Sequence, residues 1–326
     1  MLKKPDNFVG TIYDYEYAKK VTRMRETFKG GKAIFTQPPP PVKCGGGPQK
    51  IVYLCNDFWK KNNIKADLSF YTFAPALFGV PYYSAALSAY AKSQGIHVYT
   101  NSQLIEVNDK IAKFKNVQTG EIFEETYDFL HVVPHQSVPE FLKGSKISNA
   151  GGFVEVGRDL QHKKYKNIWA LGDCISLPNA KTAASVFSQV PVLVHNLNCQ
   201  VENDSHKTIY DGYASCPLYL EQGKLMLAEF REYPDENGVL QRENDESFDL
   251  GNQTHPRRLY YYLGLSFTYI YKYGIQGKWY GKYSFFKPNY KKGFSDPRWF
   301  YKYVFTLPYP AIFASLGLLS IYALSF

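Results

Sequence analysis

The chain has 326 residues, of which 45% are hydrophobic, 17% aromatic and 21% charged, and its formal net charge is +9. The length and the hydrophobic content suit a folded protein of two domains, whereas the aromatic content is high and is typical of a membrane surface. The absence of zinc knuckles, RNP signatures and basic heptads argues against nucleic acid as a partner. The five cysteines are odd in number and include no C-x-x-C pair, which argues against a structural zinc site and a secreted disulfide framework. Anionic lipid is the better candidate partner for the positive charge, because basic residues alternate with aromatic ones near the C-terminus.

Helices and strands alternate through the first 133 residues. Apolar periodicity, glycines and prolines predict helices at 15–28, 48–61 and 82–93, and strands at 33–36, 67–73 and 129–133. A hairpin is predicted from 98–107 and 111–117, and a Pro/Gly-rich loop at 37–47. Strands that alternate with helices predict an α/β fold built on a parallel sheet.

Beyond residue 160 the predicted elements are less regular. They are a strand at 168–171, a helix at 182–199 kinked at Pro191, a loop at 209–218, a strand at 224–230 and an acidic surface loop at 232–246. From residue 257 onward aromatic and basic residues dominate, and residues 304–326 carry no charge. A helix over 311–326 would span about 24 Å, short of the roughly 30 Å of a bilayer core. A marginal membrane anchor and an interfacial helix therefore both stay open.

The loop after the strand at 33–36 carries a cysteine in an unusual setting. A dinucleotide-binding fold places its glycine-rich phosphate loop here, but this chain has Cys44 followed by three glycines in place of G-x-G-x-x-G. A thiol just before a helix meets the positive end of the helix dipole and free N–H groups, and neighbouring Lys43 adds a cation, so a low thiol pKa is expected. The alternative is a glycine-rich turn with an incidental cysteine.

Two further segments carry candidate chemistry. A strand that ends in Gly172-Asp173 before a helix is how many flavin-dependent disulfide reductases close the flavin site, since the N-terminus of the helix stabilises negative charge on the flavin ring. Cys216 precedes Pro217, which predicts an extended backbone. Taken singly, a plain strand-to-turn and a buried structural cysteine explain these two features as well.

Three motifs in this order resemble the eukaryotic mitochondrial type of sulfide:quinone oxidoreductase. They stand at residues 43–50 (KCGGGPQK), 172–184 (GDCISLPNAKTAA) and 210–218 (YDGYASCPL). Further similarity runs through 31–36, 130–134, 160–162 and 227–230, so the resemblance covers the chain to about residue 231. It implies an α/β fold with two Rossmann-type domains of the flavin disulfide reductase kind, the first truncated, and a C-terminal membrane-associated region.

The resemblance also implies roles for individual residues. Cys44 matches the cysteine that carries a persulfide and Cys216 the cysteine that faces the flavin, whereas Cys55, Cys174 and Cys199 are expected to be structural. The family oxidises hydrogen sulfide, passes two electrons through FAD to ubiquinone, and hands the sulfur to glutathione, another small thiol or sulfite. The positions that match FAD-binding residues are Asp173, Lys181, Thr182, Ala183, Ala184 and Pro134. The implied location is the mitochondrial inner membrane, with lipid as a partner and with neither metal nor nucleic acid.

The resemblance divides the chain into five parts. They are a remnant of the FAD domain with a connector at 1–32, an NAD-like Rossmann-type domain at 33–130, a return segment of the FAD domain at 131–204, a membrane-facing region at 205–303 and a hydrophobic tail at 304–326. No G-x-G-x-x-G stands upstream of Gly31, so the pyrophosphate of FAD is expected to lack its usual helix N-terminus.

Two hypotheses about function follow from this division. The chain is either an active sulfide:quinone oxidoreductase or a catalytically inactive, truncated family member or fragment bound to the membrane. An NADH:quinone reductase is less favoured, because the second dinucleotide fold also lacks a G-x-G-x-x-G motif of its own.

Overall fold

The computed structural model describes residues 1–4, 7–245 and 252–269, and the backbone of 288–289 and 294–295. The strands are β1 (Val9–Gly10), β2 (Gly31–Gln37), β3 (Ala66–Thr72), β4 (His97–Tyr99), β5 (Ser102–Val107), β6 (Ile111–Asn116), β7 (Ile122–Thr126), β8 (Phe129–His131), β9 (Tyr213–Glu221), β10 (Lys224–Pro234), β11 (Leu240–Asn244), β12 (Pro288–Asn289) and β13 (Phe294–Ser295). The helices are α1 (Tyr15–Thr27), α2 (Gly47–Lys61), α3 (Pro81–Ser93), α4 (Ala183–Glu202) and α5 (Arg258–Tyr269). The predicted hydrophobic tail at 304–326 lies outside the described residues.

A five-stranded parallel sheet in the order β1-β8-β2-β3-β4 forms the centre of the first half of the chain. Both faces of its middle strand are covered, as parallel sheets require. Phe35 points to the helical side, where it packs with Trp59 of α2 and Phe129. Ile34 points to the other side, in a cluster with Phe114 of the antiparallel sheet β5-β6-β7. The predicted α/β fold with a parallel sheet is therefore confirmed.

A three-stranded antiparallel sheet in the order β11-β10-β9 follows α4. Strand β9 contacts α2 and strand β10 contacts α5, so this sheet is attached to the helical side of the parallel sheet. Leu218, Met226 and Phe230 join the same apolar core as Trp59. This arrangement brings the two halves of the chain into one continuous core.

Most predicted elements are confirmed within a residue or two of their bounds, but four are wrong. Residues 168–171 make only an isolated bridge, at Trp169, and residues 209–218 enter strand β9 instead of forming a loop. The segment predicted as a loop at 232–246 is described up to residue 245, and this part continues β10 and then forms β11. The strand predicted at 98–107 is divided, since β4 belongs to the parallel sheet and β5 to the antiparallel one.

None of the helices in the described part of the chain combines the length and the apolar character that a bilayer crossing requires. Helix α5 nevertheless exposes apolar side chains on one side, with Leu259, Tyr262 and Leu265 between 46% and 54% exposed.

Candidate active site

The loop between β2 and α2 holds Cys44 in a fixed position. The residue adopts a left-handed backbone with φ of 48°, and its carbonyl oxygen accepts a hydrogen bond from Gly47 N at 2.6 Å, where α2 begins. Its own N–H donates to the carbonyl oxygen of Lys181 at 2.7 Å, just before α4. Cys44 is thus half-buried at the N-terminus of one helix and tied to the N-terminus of another.

The second cysteine reaches the same place from strand β9. Cys216 is 2% exposed and pairs with Ala228 of β10, so its backbone is extended as Pro217 predicted. Its thiol donates a hydrogen bond to the sulfur of Cys44. Gly46 makes this approach possible, because a Cβ atom there would lie 2.4 Å from Cys216 Sγ. The structure therefore brings together the two cysteines that the sequence singled out.

A buried lysine completes this group. Lys50, in the first turn of α2, places its Nζ 3.3 Å from Cys44 Sγ. The hydrogen bond from Cys216 and the charge of Lys50 outweigh burial and lower the pKa of Cys44 to about 5. Burial disfavours charge on Lys50, but the two cysteine sulfurs outweigh it and raise the pKa of Lys50 above its ordinary value. For Cys216, the hydrogen bond to Cys44 and burial both raise the pKa well above that of a free thiol.

The pKa shifts of these three side chains indicate which of them carry a proton at neutral pH. The lowered pKa of Cys44 favours a thiolate there, and the raised pKa values of Lys50 and Cys216 favour a cation and a protonated thiol. A thiolate stabilised in this way is both a nucleophile and a good leaving group. The lysine in contact with the sulfur is Lys50 and not the neighbouring Lys43 to which the sequence pointed.

Sequence reasoning missed Lys50, although a signal was present. Side chains on a helix point toward its N-terminus, so a lysine in the first turn of α2 is directed at the loop that precedes it. Lys43 is exposed, and its backbone N–H donates to Gln136 Oε1 at 2.9 Å. Lys43 therefore anchors the loop through its backbone.

The other three cysteines lie apart from this pair. Burial raises the pKa of Cys55 to about 12, and burial also raises the pKa of Cys174 and of Cys199. Their thiols are therefore poor nucleophiles at neutral pH.

A cavity of about 520 Å³ opens beside Cys216. Its walls come from the loops after β2 and β3, the N-terminus of α4 and one face of the sheet β11-β10-β9. Ligands of α/β proteins bind beyond the carboxyl ends of the parallel strands, which is where these loops lie. The side chains that line it include those of Lys181, Thr182, Cys216, Phe230, Glu232 and Arg242.

The remaining predicted site residues lie around this cavity to different extents. Thr182 caps α4 by accepting a hydrogen bond from Ser185 N, so the positive end of this helix meets the cavity. Lys181 donates from Nζ to Ile175 O at 2.9 Å, and burial lowers its pKa, with the charge of Asp173 opposing that effect. The predicted residues that do not line the cavity are Asp173, Ala183, Ala184 and Pro134, the last of which is exposed.

Comparison with known proteins identifies the relatives of this chain. No protein-family model matches it. It is 38% identical to the mitochondrial sulfide:quinone oxidoreductase of Schizosaccharomyces pombe over 303 aligned residues. The alignment covers 89% of this chain and 64% of that protein. It is also 38% identical to the protein of that name from Dictyostelium discoideum, over 86% of this chain and 62% of that protein. This chain is homologous to the mitochondrial sulfide:quinone oxidoreductases. It spans a little less than two thirds of the length of these curated relatives.

Solved structures show the same fold. The sulfide:quinone oxidoreductase of Aquifex aeolicus superposes with a TM-score of 0.66 over 84% of this chain and 65% of that chain, at 17% identity. A chain in the structure of the Tetrahymena thermophila mitochondrial ATP synthase superposes with a TM-score of 0.60 over 69% of this chain and 57% of that chain, at 26% identity. These similarities agree with the α/β architecture described above.

The residues around the cavity beside Cys216 in this chain fit the ring end of a flavin. The volume lies within the range of roughly 300–1,000 Å³ that small-molecule sites occupy. The α4 N-terminus and Lys181 offer positive charge, which would stabilise the negative charge of a reduced flavin ring. Gln37 Oε1 is buried in the cavity wall without a hydrogen-bond partner among the described residues, so it is an acceptor left for a ligand.

The substitution Gly46→Ala is expected to move the thiols of Cys44 and Cys216 apart. The added Cβ would also lie 2.8 Å from Leu218 Cδ2, so β9 or the loop must shift to accommodate it. Without the hydrogen bond from Cys216, the pKa of Cys44 should rise from about 5 toward that of a free thiol. The pH dependence of Cys44 alkylation by iodoacetamide measures this change.

The neighbouring glycine provides a matched control. A Cβ on Gly45 meets nothing within 4 Å, so Gly45→Ala should leave the alkylation profile unchanged. Equal profiles for wild type and Gly46→Ala would contradict the close approach of the cysteines.

Proposed function

We propose that this chain carries the redox centre of a sulfide:quinone oxidoreductase. The observation that carries the proposal is the buried contact among Cys44, Cys216 and Lys50 at the edge of a cavity that fits a flavin ring. The homology with proteins named for this activity supports it. Cys44 is assigned as the cysteine that carries the sulfur, because its stabilised thiolate is the good leaving group when that sulfur is handed on, and Cys216 faces the cofactor, because it lines the cavity.

The chemistry begins with the bridged form of the pair. Hydrosulfide attacks Cys44 Sγ, a new S–S bond forms on Cys44, and the bond to Cys216 breaks with Cys216 leaving as a thiolate, whose charge Lys50 offsets. A small thiol or sulfite then takes the outer sulfur, and Cys44 leaves as a thiolate that Lys50 stabilises. Re-forming the bridge between Cys44 and Cys216 releases two electrons.

FAD, when bound, supplies the two-electron acceptor that passes these electrons to ubiquinone. Lys181 and Thr182 would hold its ring end, with Asp173, Ala183 and Ala184 around the start of α4 and Pro134 near the loop of Cys44. The contribution of this chain is to orient the two sulfurs and to fix their charges. The exposed apolar side of α5 supports a membrane-facing surface in the inner mitochondrial membrane, where a lipid-soluble quinone is reached.

The test is the visible absorbance spectrum of the purified full-length protein, recorded before and after addition of sulfide. We expect a flavin band that sulfide bleaches and that added quinone restores, because electrons enter from sulfide and leave to quinone. Cys174→Ser provides a control whose bleaching should match that of the wild type. A protein that binds no flavin after reconstitution with FAD, or whose bound flavin ignores sulfide, would contradict the proposal and favour an inactive family member.

A further inference from the structure

The backbone of Cys44 has a conformation that its surroundings must hold. Its φ of 48° lies in the left-handed region, which residues with a side chain seldom adopt unless neighbouring groups fix them there. Two backbone hydrogen bonds flank the residue, one from Cys44 N to Lys181 O at 2.7 Å and one from Gly47 N to Cys44 O at 2.6 Å. Because the backbone sets the direction of the side chain, whatever holds this residue also fixes the position of its sulfur.

A tyrosine side chain makes a third contact with Cys44. Tyr13 Oη donates a hydrogen bond to Cys44 O at 3.2 Å. A carbonyl oxygen has two lone pairs, so Tyr13 and Gly47 together satisfy it. The hydroxyl needs the space that Gly47 leaves, since a Cβ atom there would lie 2.8 Å from Tyr13 Oη. Burial and the charges of Cys44 and Cys216 raise the pKa of Tyr13 above its ordinary value, so the phenol keeps its proton and remains a donor.

The backbone before Tyr13 is tied to the central parallel sheet. Ile12 N donates a hydrogen bond to Nε2 of His131 in strand β8 at 3.1 Å. His131 is fully buried, and burial lowers its pKa to about 3, so the ring stays neutral and accepts this bond at neutral pH. The hydroxyl of Tyr13 therefore approaches the loop of Cys44 from a fixed position.

We propose that Tyr13 is a positioning residue that holds the backbone of Cys44 and thereby keeps Cys44 Sγ in contact with Cys216 and Lys50. Removing the hydroxyl would leave the carbonyl of Cys44 with the bond from Gly47 alone, and the residue would relax from its left-handed conformation. The sulfur would then move away from the two groups that stabilise its negative charge. The importance of this effect for sulfide oxidation rests on the proposed function, whereas the effect on the thiolate does not.

The charges around the sulfur make its pKa a measure of its position. The titratable groups around Cys44 and its lysine partner come from β9, α2, the residue before Thr182 and the loop itself: Cys216, Tyr219, Lys50, Lys181 and Lys43. The substitution Tyr13→Phe leaves all of these side chains in place, and Tyr13 itself carries no charge. A raised pKa of Cys44 in Tyr13→Phe therefore reports the lost hydrogen bond and the displacement that follows.

Alkylation of the reduced full-length protein tests the proposal without sulfide or quinone. The rate of Cys44 labelling by iodoacetamide is followed against pH by peptide mass spectrometry in wild type and in Tyr13→Phe, which removes only the hydroxyl. We expect the midpoint to move upward by about half to one pH unit, the scale of one hydrogen bond. Well below the midpoint this corresponds to a rate about three to ten times lower.

A double variant distinguishes positioning from an independent effect of the phenol. The shift caused by Tyr13→Phe should be smaller in a Lys50→Met background than in the wild type, because the sulfur no longer has this cation to lose. Tyr15→Phe is the matched control, since Tyr15 is 75% exposed and should retain the wild-type midpoint.

Thermal unfolding of each variant is measured separately from the labelling. A Tyr13→Phe protein that melts at a lower temperature but keeps the wild-type midpoint would show that the tyrosine is merely structural and would overturn the inference. Equal shifts with and without Lys50 would overturn it as well. A coupled shift in a protein that does not oxidise sulfide would support the inference and contradict the proposed function alone.

Discussion

Replacing Cys216 with serine is expected to reduce sulfide-dependent quinone reduction by at least about a thousandfold, on the scale seen when a covalent catalyst is removed. A serine hydroxyl forms no S–S bond, so the bridge that hydrosulfide attacks cannot exist. The fold should persist, because serine is close in size and Ser215 beside it is already accommodated in β9. Cys44→Ser is expected to give a loss of the same order, and quinone reduction by sulfide measures both.

The chain offers a matched control for this substitution. Cys174 is half-buried, its Sγ donates to Leu171 O at 3.3 Å, and a serine hydroxyl makes the same bond, so Cys174→Ser should retain full turnover. Thermal unfolding of each variant checks that the fold is intact. Wild-type turnover in either Cys44→Ser or Cys216→Ser would remove the redox pair from the mechanism.

The second large effect is expected at Lys50. Lys50→Met removes the cation that lies 3.3 Å from Cys44 Sγ, so the pKa of Cys44 should rise from about 5 by about one to two pH units, as for the loss of a close opposite charge. A raised pKa lowers the thiolate fraction at every pH below the new value and leaves it unchanged well above. The rate of Cys44 alkylation against pH should therefore shift its midpoint upward, with the largest loss at mildly acidic pH.

Two further substitutions define what Lys50 contributes. Lys50→Arg keeps the charge and should retain most of the low pKa, whereas Lys43→Met removes the exposed lysine beside Cys44 and should change nothing. A midpoint that moves equally in Lys43→Met and Lys50→Met would show that general positive charge, and not this contact, sets the thiolate.

The sequence predicts the strand, glycine loop and helix around Cys44 because local signals agree there. A short run of buried residues forms β2, glycines follow it, and Pro48 suits the first turn of the next helix. The contact with Cys216 is different, since nothing local predicts which distant strand packs over a loop. Only the resemblance to a family linked the two cysteines, and the structure provides the physical reason in the missing side chain of Gly46.

The wrong predictions have identifiable causes. The segment at 209–218 contains Gly212 and Pro217, which favour a loop, but β9 lies at the edge of its sheet. An edge strand tolerates proline, and in the part of the chain that the structure describes the outer side of β9 has no partner strand. The segment at 232–246 is polar because its hairpin extends beyond the core. Asp235 does indicate a turn, because aspartate side chains accept hydrogen bonds from backbone N–H groups that follow them. In the structure Asp235 Oδ1 accepts from the N–H groups of Asn237 and Val239, ahead of β11.

The sequence separation of the two cysteines has a consequence for the assembly of the centre. Positions 44 and 216 are 172 residues apart, so their contact is of high contact order and forms only after α4 and β9 have been synthesised and folded. A bridge across this loop would restrict the unfolded chain by about 5 kcal/mol in the chain-entropy description. Each catalytic cycle would then open and close a covalent constraint on the whole fold. The apparent melting temperature of the protein would accordingly report its redox state, higher when the pair is bridged and lower when it is reduced.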